Sequence, residues 1–321
     1  MGSGRRAHWT WGYRNRTGGP VGVWLALPPE MWSQTHVRVV GARPAGFTGQ
    51  VRSVGANRLA HTVLGPGESV RVEAYAFLPL ADSGSQGCTA VDEPSLYLGS
   101  NLLVELTPEV RSEAREVAGS LDSPEAKAGR LLVHVLRSCS YRWPPSARGS
   151  EAMRRERRGD CGQYAMLYAA LCRSVDIPCR VLFGTLAGRA ARPHAWAEVH
   201  LPRTGWQVAD FGLRELELGS SVRVGLSRVR VDDDRYLLRG SRADRLAFSV
   251  DPVVPLDPPF QAKDLPEGSR QMVVAGRPFA WGHETLEGAA PYLQPCYVRF
   301  ERDHSPRSQA ELLGKWRLRI S

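Results

Sequence analysis

Lysine is nearly absent from this chain of 321 residues: only Lys127, Lys263 and Lys315 occur, so arginine supplies 39 of the 42 basic side chains. Against 33 acidic residues this leaves a formal net charge of +9. GC-rich codon usage is sufficient to account for such an arginine bias, and a basic surface favours acidic partners only in a general way. No zinc-finger spacing, RNA-binding signature or strongly basic helix accompanies it, so no nucleic-acid partner is expected. Long apolar runs are missing too. No stretch approaches the ~18 residues that a membrane span needs. The polar, basic segment Met1–Thr10 lacks the ~7–15-residue apolar core of a secretory signal. Cysteine is sparse, at six residues (Cys88, Cys139, Cys161, Cys172, Cys179 and Cys296), with no dense framework and no zinc-ligand spacing. These absences exclude a small disulfide scaffold and a membrane-spanning helix. They lead us to expect free thiols in a reducing cytoplasm, with no metal and no cofactor.

What is present is globular composition, 42% apolar and 23% charged. From His8 to Leu80 the pattern is all-β: Val21–Leu27 stops at Pro28-Pro29, and Val70-Arg71-Val72-Glu73-Ala74 alternates strictly, as a strand with one buried face does. The frequency of Gly and Pro, including Gly65-Pro66-Gly67, suits a small sandwich. After a polar loop, 82–100, helical signals begin. Thr107 can cap a helix with Pro108 at its first position and Gly119 beyond its end. Ser123 and Pro124 open a second, with Ala128, Leu131, Leu132, Val135, Leu136 and Cys139 forming one apolar stripe. A third, from Cys161 to about Ser174, is apolar nearly all round, as expected of a helix in the middle of a domain. Strands follow at Arg180–Gly184, His194–Leu201 and Trp206–Asp210, and beyond Val222 come short alternating runs with Pro-rich connectors. The order is α+β, not alternating βαβ. It predicts a β-rich domain over 1–100, a core over 101–250 and a β-rich extension over 251–321 packed on that core.

The chemistry concentrates between Arg158 and Asp210. Cys161 falls at a helix start, where unpaired N–H groups and the helix dipole favour a thiolate and can serve an oxyanion. His194 follows 33 residues later and Asp210 a further 16, on neighbouring strands. A nucleophile, a base and an orienting carboxylate so placed obey triad logic. Residue types alone leave two readings open, because a buried Cys is most often a small hydrophobe and a chain with this many Cys, His and Asp contains such triples by accident.

The local words are more specific. Gly159-Asp160-Cys161-Gly162, the apolar helix ending Leu171-Cys172-Arg173, Asp176-Ile177-Pro178-Cys179-Arg180, His194-Ala195-Trp196-Ala197-Glu198-Val199 and Gly205-Trp206-Gln207-Val208-Ala209-Asp210 stand in order. This succession resembles the transglutaminase-like superfamily over roughly 105–212. A looser likeness of the flanking β-rich regions suits bacterial members. Three positions depart from the family pattern: Asp176 stands where Gly is usual, Cys179 where Ala is common, and Phe211 where Pro is frequent.

The resemblance implies a papain-like α+β fold, a central helix packed on an antiparallel sheet, and acyl transfer through a thioester on Cys161. His194 would move the proton, and Asp210 would orient the imidazole. Tyr141 or Trp143, just upstream, would complete the oxyanion hole, Tyr141 being preferred, and Trp196 would wall the site. The donor would be a peptide, an amide or an acyl thioester, carried in some members by a carrier protein. The acceptor would be an amine or water, giving an acyltransferase in one case and a protease or amidase in the other. A non-catalytic binding domain is the remaining alternative.

Other features carry less. Arg154, Arg155, Arg157 and Arg158 form either a solvated basic turn or a dock for an acidic partner. Gln163, two positions along the helix, is expected to face away from the site. Asp232-Asp233-Asp234 lacks the ligand spacing of a calcium loop, and His200, ~20 Å down the strand from His194, is too far to share its site.

Overall fold

The computed structural model describes residues 4–14, 21–43, 51–79, 89–142, 147–186, 192–211, 245–252, 271–274, 277–280, 296–298 and 315–320. In chain order come strands β1 (Gly4–Arg14), β2 (Val21–Leu27), β3 (Thr35–Arg43), β4 (Arg52–Val54), β5 (Asn57–Leu64) and β6 (Ser69–Pro79). The helical stretch follows: α1 (Pro108–Ala118), α2 (Pro124–Ser138), the short strand β7 (Ser140–Tyr141), α3 (Ser150–Glu156), β8 (Arg158–Gly159) and α4 (Cys161–Arg173). Next are β9 (Cys179–Leu186), β10 (Arg192–Leu201), β11 (Gly205–Ala209) and β12 (Arg245–Val250). The last are β13 (Gln271–Val274), β14 (Arg277–Ala280), β15 (Cys296–Val298) and β16 (Lys315–Ile320).

The residues group into two compact units. One gathers Met1–Asp92, Phe183–Pro193 and Ser241–Ser321; the other gathers Glu93–Leu182 and His194–Gly240. The first unit is built on two antiparallel sheets, ordered β16-β1-β6-β3 and β15-β2-β5-β4. Strands near the C-terminus thus close both sheets against strands near the N-terminus. The alternation read at Val70–Ala74 is realised: Val70, Val72 and Ala74 are buried and Arg71 is exposed. Two buried amides complete the hydrogen bonding of β12. Gln34 exchanges both side-chain bonds with the backbone of Ala247 (2.8 and 3.0 Å). Asn57 does the same with Val250 (2.7 and 2.9 Å). Without such partners those backbone groups would be buried and unsatisfied.

The second unit is α+β. Its helix starts follow the capping signals. The Thr107 hydroxyl accepts from Val110 N–H (3.2 Å) and Ser123 from Ala126 N–H (3.0 Å), each with Pro in the first turn. The stripe of α2, Ala128, Leu131, Leu132 and Val135, is buried. Helix α4 is buried from Gly162 to Arg173 on every side, so its interior placement follows directly from its lack of a polar face. The chain leaves α4 through Asp176, whose φ of 60° is the left-handed conformation that favours glycine. The departure from Gly at that position therefore keeps the turn, with Ile177 N–H donating to Cys172 C=O (3.0 Å). Beyond it, β9, β10 and β11 lie side by side in that order.

The segment before α4 departs from the expectation of a solvated turn. Arg154 and Arg155 lie in the last turn of α3, and Arg157 ends it at φ 53°. Helix α3 has no side-chain cap of its own at Gly149. It is held instead by distant groups: Glu105 accepts from Glu151 N–H (3.0 Å), and Ser150 N–H donates to Leu103 C=O (2.8 Å).

Candidate active site

Asp160 fixes the start of α4. Its carboxylate accepts from Gln163 N–H (3.1 Å) as a helix cap, which leaves the N–H groups of Cys161 and Gly162 without partners earlier in the helix. Cys161 itself is half-buried, whereas Cys139, Cys172 and Cys179 are buried thiols. Gly159 must be glycine for close packing: a Cβ there would lie 2.5 Å from Gln163 Cβ and 2.7 Å from Met153 Sδ. Gln163, expected to face away, turns back onto the preceding loop. Its amide donates to Ala147 C=O (2.9 Å) and accepts from Gly149 N–H (3.2 Å).

His194 stands near the start of β10. That strand pairs with β11 in the register Ala197↔Ala209 and Glu198↔Val208. Carried one step further, the register sets Asp210 level with Trp196 and diagonal to His194, on the same face. The contact is made there. His194 Nε2–H donates to Asp210 Oδ1 (2.9 Å) and Oδ2 (3.0 Å), with both residues buried. Nδ1 is then the nitrogen left for the Cys161 thiol, whose hydrogen bond and charge act on the same ring. Burial opposes the imidazolium, but the Asp210 charge and hydrogen bond, followed by those of Cys161, outweigh it and push the His194 pKa up to about 10. At neutral pH the ring is therefore protonated, on both nitrogens.

Trp196 packs parallel to the His194 ring, with centroids 6.1 Å apart. Phe211, the departure from Pro, rests against the rings of Tyr164 (5.6 Å) and Tyr168 (5.5 Å) on α4, so the residue after Asp210 seats the strand end on that helix. Tyr141 lies on β7, in parallel register with Gly159, and is 46% exposed. Trp143 and Asp232-Asp233-Asp234 lie outside the described residues. His200 faces Trp206 (5.3 Å between rings), six residues along β10 from His194.

Of the four candidate docking arginines, two are engaged internally. Arg157 makes a pair of hydrogen bonds with Glu113 (2.8 Å each), and Arg154 does the same with Glu151 (2.8 Å each). Only Arg155 and Arg158 are exposed. A surface of four available cations is thus reduced to two.

The structure adds two buried ion pairs that sequence reasoning misses. Arg148 donates to Asp160 Oδ2 at 2.6 Å. Arg180 donates to Glu198 from Nε (3.0 Å) and Nη2 (2.8 Å), with its guanidinium 4.1 Å from the Trp206 ring centre and 5.4 Å from that of Tyr97. A single charged residue inside each apolar run, Arg180 before Val181-Leu182 and Glu198 before Val199, is the available signal.

Comparison with known proteins bears on the fold of this region. The sequence model of the transglutaminase-like superfamily matches residues 111–211, from α1 to the residue after Asp210. This core belongs to the transglutaminase-like superfamily. The matched segment is about a third of the chain. Among solved structures, a candidate cysteine protease from Cytophaga hutchinsonii superposes with a TM-score of 0.51 at 13% identity, covering 99% of this chain and 97% of that one. It shares the fold. A candidate protease from Parabacteroides distasonis (TM-score 0.30, 13% identity, 62% of this chain and 39% of that one) and a TGase (0.26, 14%, 54% and 46%) resemble smaller parts. No curated protein matches the sequence. The superfamily typically comprises cysteine-dependent enzymes, and the transglutaminase-like core carries the papain-like α+β arrangement of a central helix beside an antiparallel sheet. Among the described residues no helix is long and apolar enough to cross a membrane.

Proposed function

We propose that the chain is a cysteine acyltransferase that forms a thioester on Cys161 and passes the acyl group to an amine or to water. One observation carries the reading: the imidazole of His194 lies between a buried carboxylate on Nε2 and the Cys161 thiol at a helix start. Sulfur acts as nucleophile. The thiolate attacks the carbonyl carbon of an amide or thioester, and the resulting oxyanion is met by the Cys161 N–H and a donor from Tyr141. As the tetrahedral adduct collapses, Nδ1–H gives its proton to the departing amine or thiol, leaving an acyl thioester and a neutral imidazole. An amine or water then loses a proton to Nδ1 while attacking the thioester, and sulfur leaves again as thiolate. Asp210 keeps Nε2–H in place throughout, and Trp196 walls the ring.

Two further readings differ only in donor and acceptor. Water as acceptor gives a protease or amidase, the activity in the name of the similar Cytophaga protein. A donor carried as a thioester on an acidic carrier protein would meet Arg155 and Arg158, which lie within six residues of Cys161 in the chain.

Intact-mass measurement after incubation with acyl thioesters and with amides tests the proposal. An adduct of acyl mass should appear on Cys161, disappear on adding an amine or on standing in water, and be absent from Cys161→Ala. Turnover that survives in purified Cys161→Ala would remove the covalent mechanism.

A further inference from the structure

Asp160 is a carboxylate placed one residue before the proposed nucleophile. A negative charge there opposes formation of a second negative charge on Cys161 sulfur. It also caps α4, so it cannot be dispensed with in its present conformation: Oδ1 holds the Gln163 N–H. The other oxygen is held by Arg148 Nη1 at 2.6 Å, and both side chains are almost wholly buried. Arg148 belongs to a loop that the first turn of α4 also holds through Gln163, by way of Ala147 C=O and Gly149 N–H. Among the described residues, the charged groups that meet this turn include Arg148 from that loop and His194 from β10, with Asp210 behind it.

We infer that Arg148 is a positioning residue for the Cys161 thiolate: it cancels the charge of Asp160 while leaving its capping oxygen in place. The inference rests on the reading of Cys161 as nucleophile. Asp160 alone would give the helix its start and work against the thiolate. Paired with Arg148, it gives the helix its start at little electrostatic cost to the sulfur. A pair that only seats the helix would leave the Cys161 alkylation profile unmoved whether its charges are removed singly or together, provided the protein folds.

The test reads the sulfur and not turnover, so it is separable from the proposed function. The rate of Cys161 alkylation by iodoacetamide is followed from pH 5 to 10 by mass spectrometry of the Cys161 peptide, in folded protein checked by circular dichroism. In Arg148→Met the midpoint of the profile should move up by about one pH unit, an approximately tenfold loss of rate at low pH. In the double variant Arg148→Met with Asp160→Asn, where Asn still caps a helix, the profile should return to within about 0.3 units of wild type. Arg148→Lys, which keeps the charge, should shift it less than Arg148→Met does. A wild-type profile in Arg148→Met overturns the inference, and so does a double variant that stays shifted. If Arg148→Met fails to fold, the double variant and Arg148→Lys decide. An alkylation profile in the double variant displaced by a full unit would then reject the idea. Should Cys161→Ala retain turnover while these shifts appear, the functional reading fails and the positioning inference stands as a property of the thiol alone.

Discussion

Replacing Asp210 with asparagine removes one charge and hardly any volume, so its effect can be traced to His194. The folded imidazole titrates at about 10 against an ordinary 6.5. At 1.36 kcal/mol per pH unit, that difference favours the protonated ring by about 5 kcal/mol, even though burial works the other way. With Asp210→Asn the Asp210 contributions disappear while burial and the smaller Cys161 contributions remain, so the ring should titrate well below its wild-type value. At pH 7 a smaller share of the molecules would then carry imidazolium. An asparagine amide donating to Nε2 would further hold the proton on Nδ1 of the neutral ring, the wrong side for accepting one from the thiol. Comparable changes in serine triads cost ~10⁴-fold, and the catalytic efficiency at pH 7 should drop here by about three to four orders of magnitude. The assay is the pH–rate profile with an activated thioester, together with an NMR titration of the His194 ring. Stability should change as well. In wild type the folded state holds a proton between pH 6.5 and about 10 that the unfolded chain releases. The His194 contribution is therefore complete below pH 6.5 and is lost as pH rises through about 10. Urea midpoints of wild type should fall across that window, and those of Asp210→Asn should stay flatter. A variant with a wild-type profile and an unmoved His194 titration would refute the reasoning.

Charges elsewhere in the same unit make two more variants informative. Glu198→Gln leaves Arg180 buried between aromatic rings with a weakened partner, and the urea-derived stability should fall by about 3–5 kcal/mol; a loss under about 1 kcal/mol would mean that the rings alone hold the guanidinium. Replacing the exposed pair, Arg155→Gln with Arg158→Gln, should raise the Michaelis constant several-fold for an acidic carrier-bound thioester, and only at low salt. Turnover of a small uncharged thioester should not move, and equal losses on both donors would reject docking.

Why some of this is legible in the sequence and some is not follows from how local each signal is. Thr107-Pro108 and Ser123-Pro124 carry their caps within three residues, and both helices start there. Helix α4 is apolar on all sides, and its burial needs nothing else. Helix α3 reads as a turn because its stabilising groups, Glu105 and Leu103, lie some 45 residues away in the chain. The same distance hides the state of the arginine run, since Arg157 meets Glu113 across 44 residues. Pairing of β16 with β1 joins the two ends of the chain, and no local pattern encodes it. Within the site, the positions of Cys161, His194 and Asp210 can be read from helix start and strand parity. The partners of Asp160 and Glu198 cannot: Glu198, a lone charge in an apolar run, announces a partner without naming it, and Asp160 closely follows five charged residues and meets Arg148 instead of the neighbouring arginines.

The placement of the buried charges bears on what the fold is built to hold. A buried ion pair is a weak source of stability, because desolvating two charges offsets most of their attraction, and apolar residues of the same volume often do as well. Yet this unit buries Arg148–Asp160 at the start of α4, Arg180–Glu198 on β9 and β10, and His194–Asp210 where β10 meets the end of β11. Helices α1 and α2, which carry none of the proposed reacting atoms, are seated mainly by alanine, valine and leucine, with Glu113 of α1 also joined to His134 of α2 (2.6 Å) and to Arg157 (2.8 Å). Ion pairs have directional hydrogen bonds and a large penalty for partial separation, so they fix a helix start or a strand more narrowly than an apolar contact of equal area does. If the Cys161 sulfur and the His194 ring exchange a proton as proposed, they need that narrow placement, since an error of about 1 Å can cost two orders of magnitude in rate.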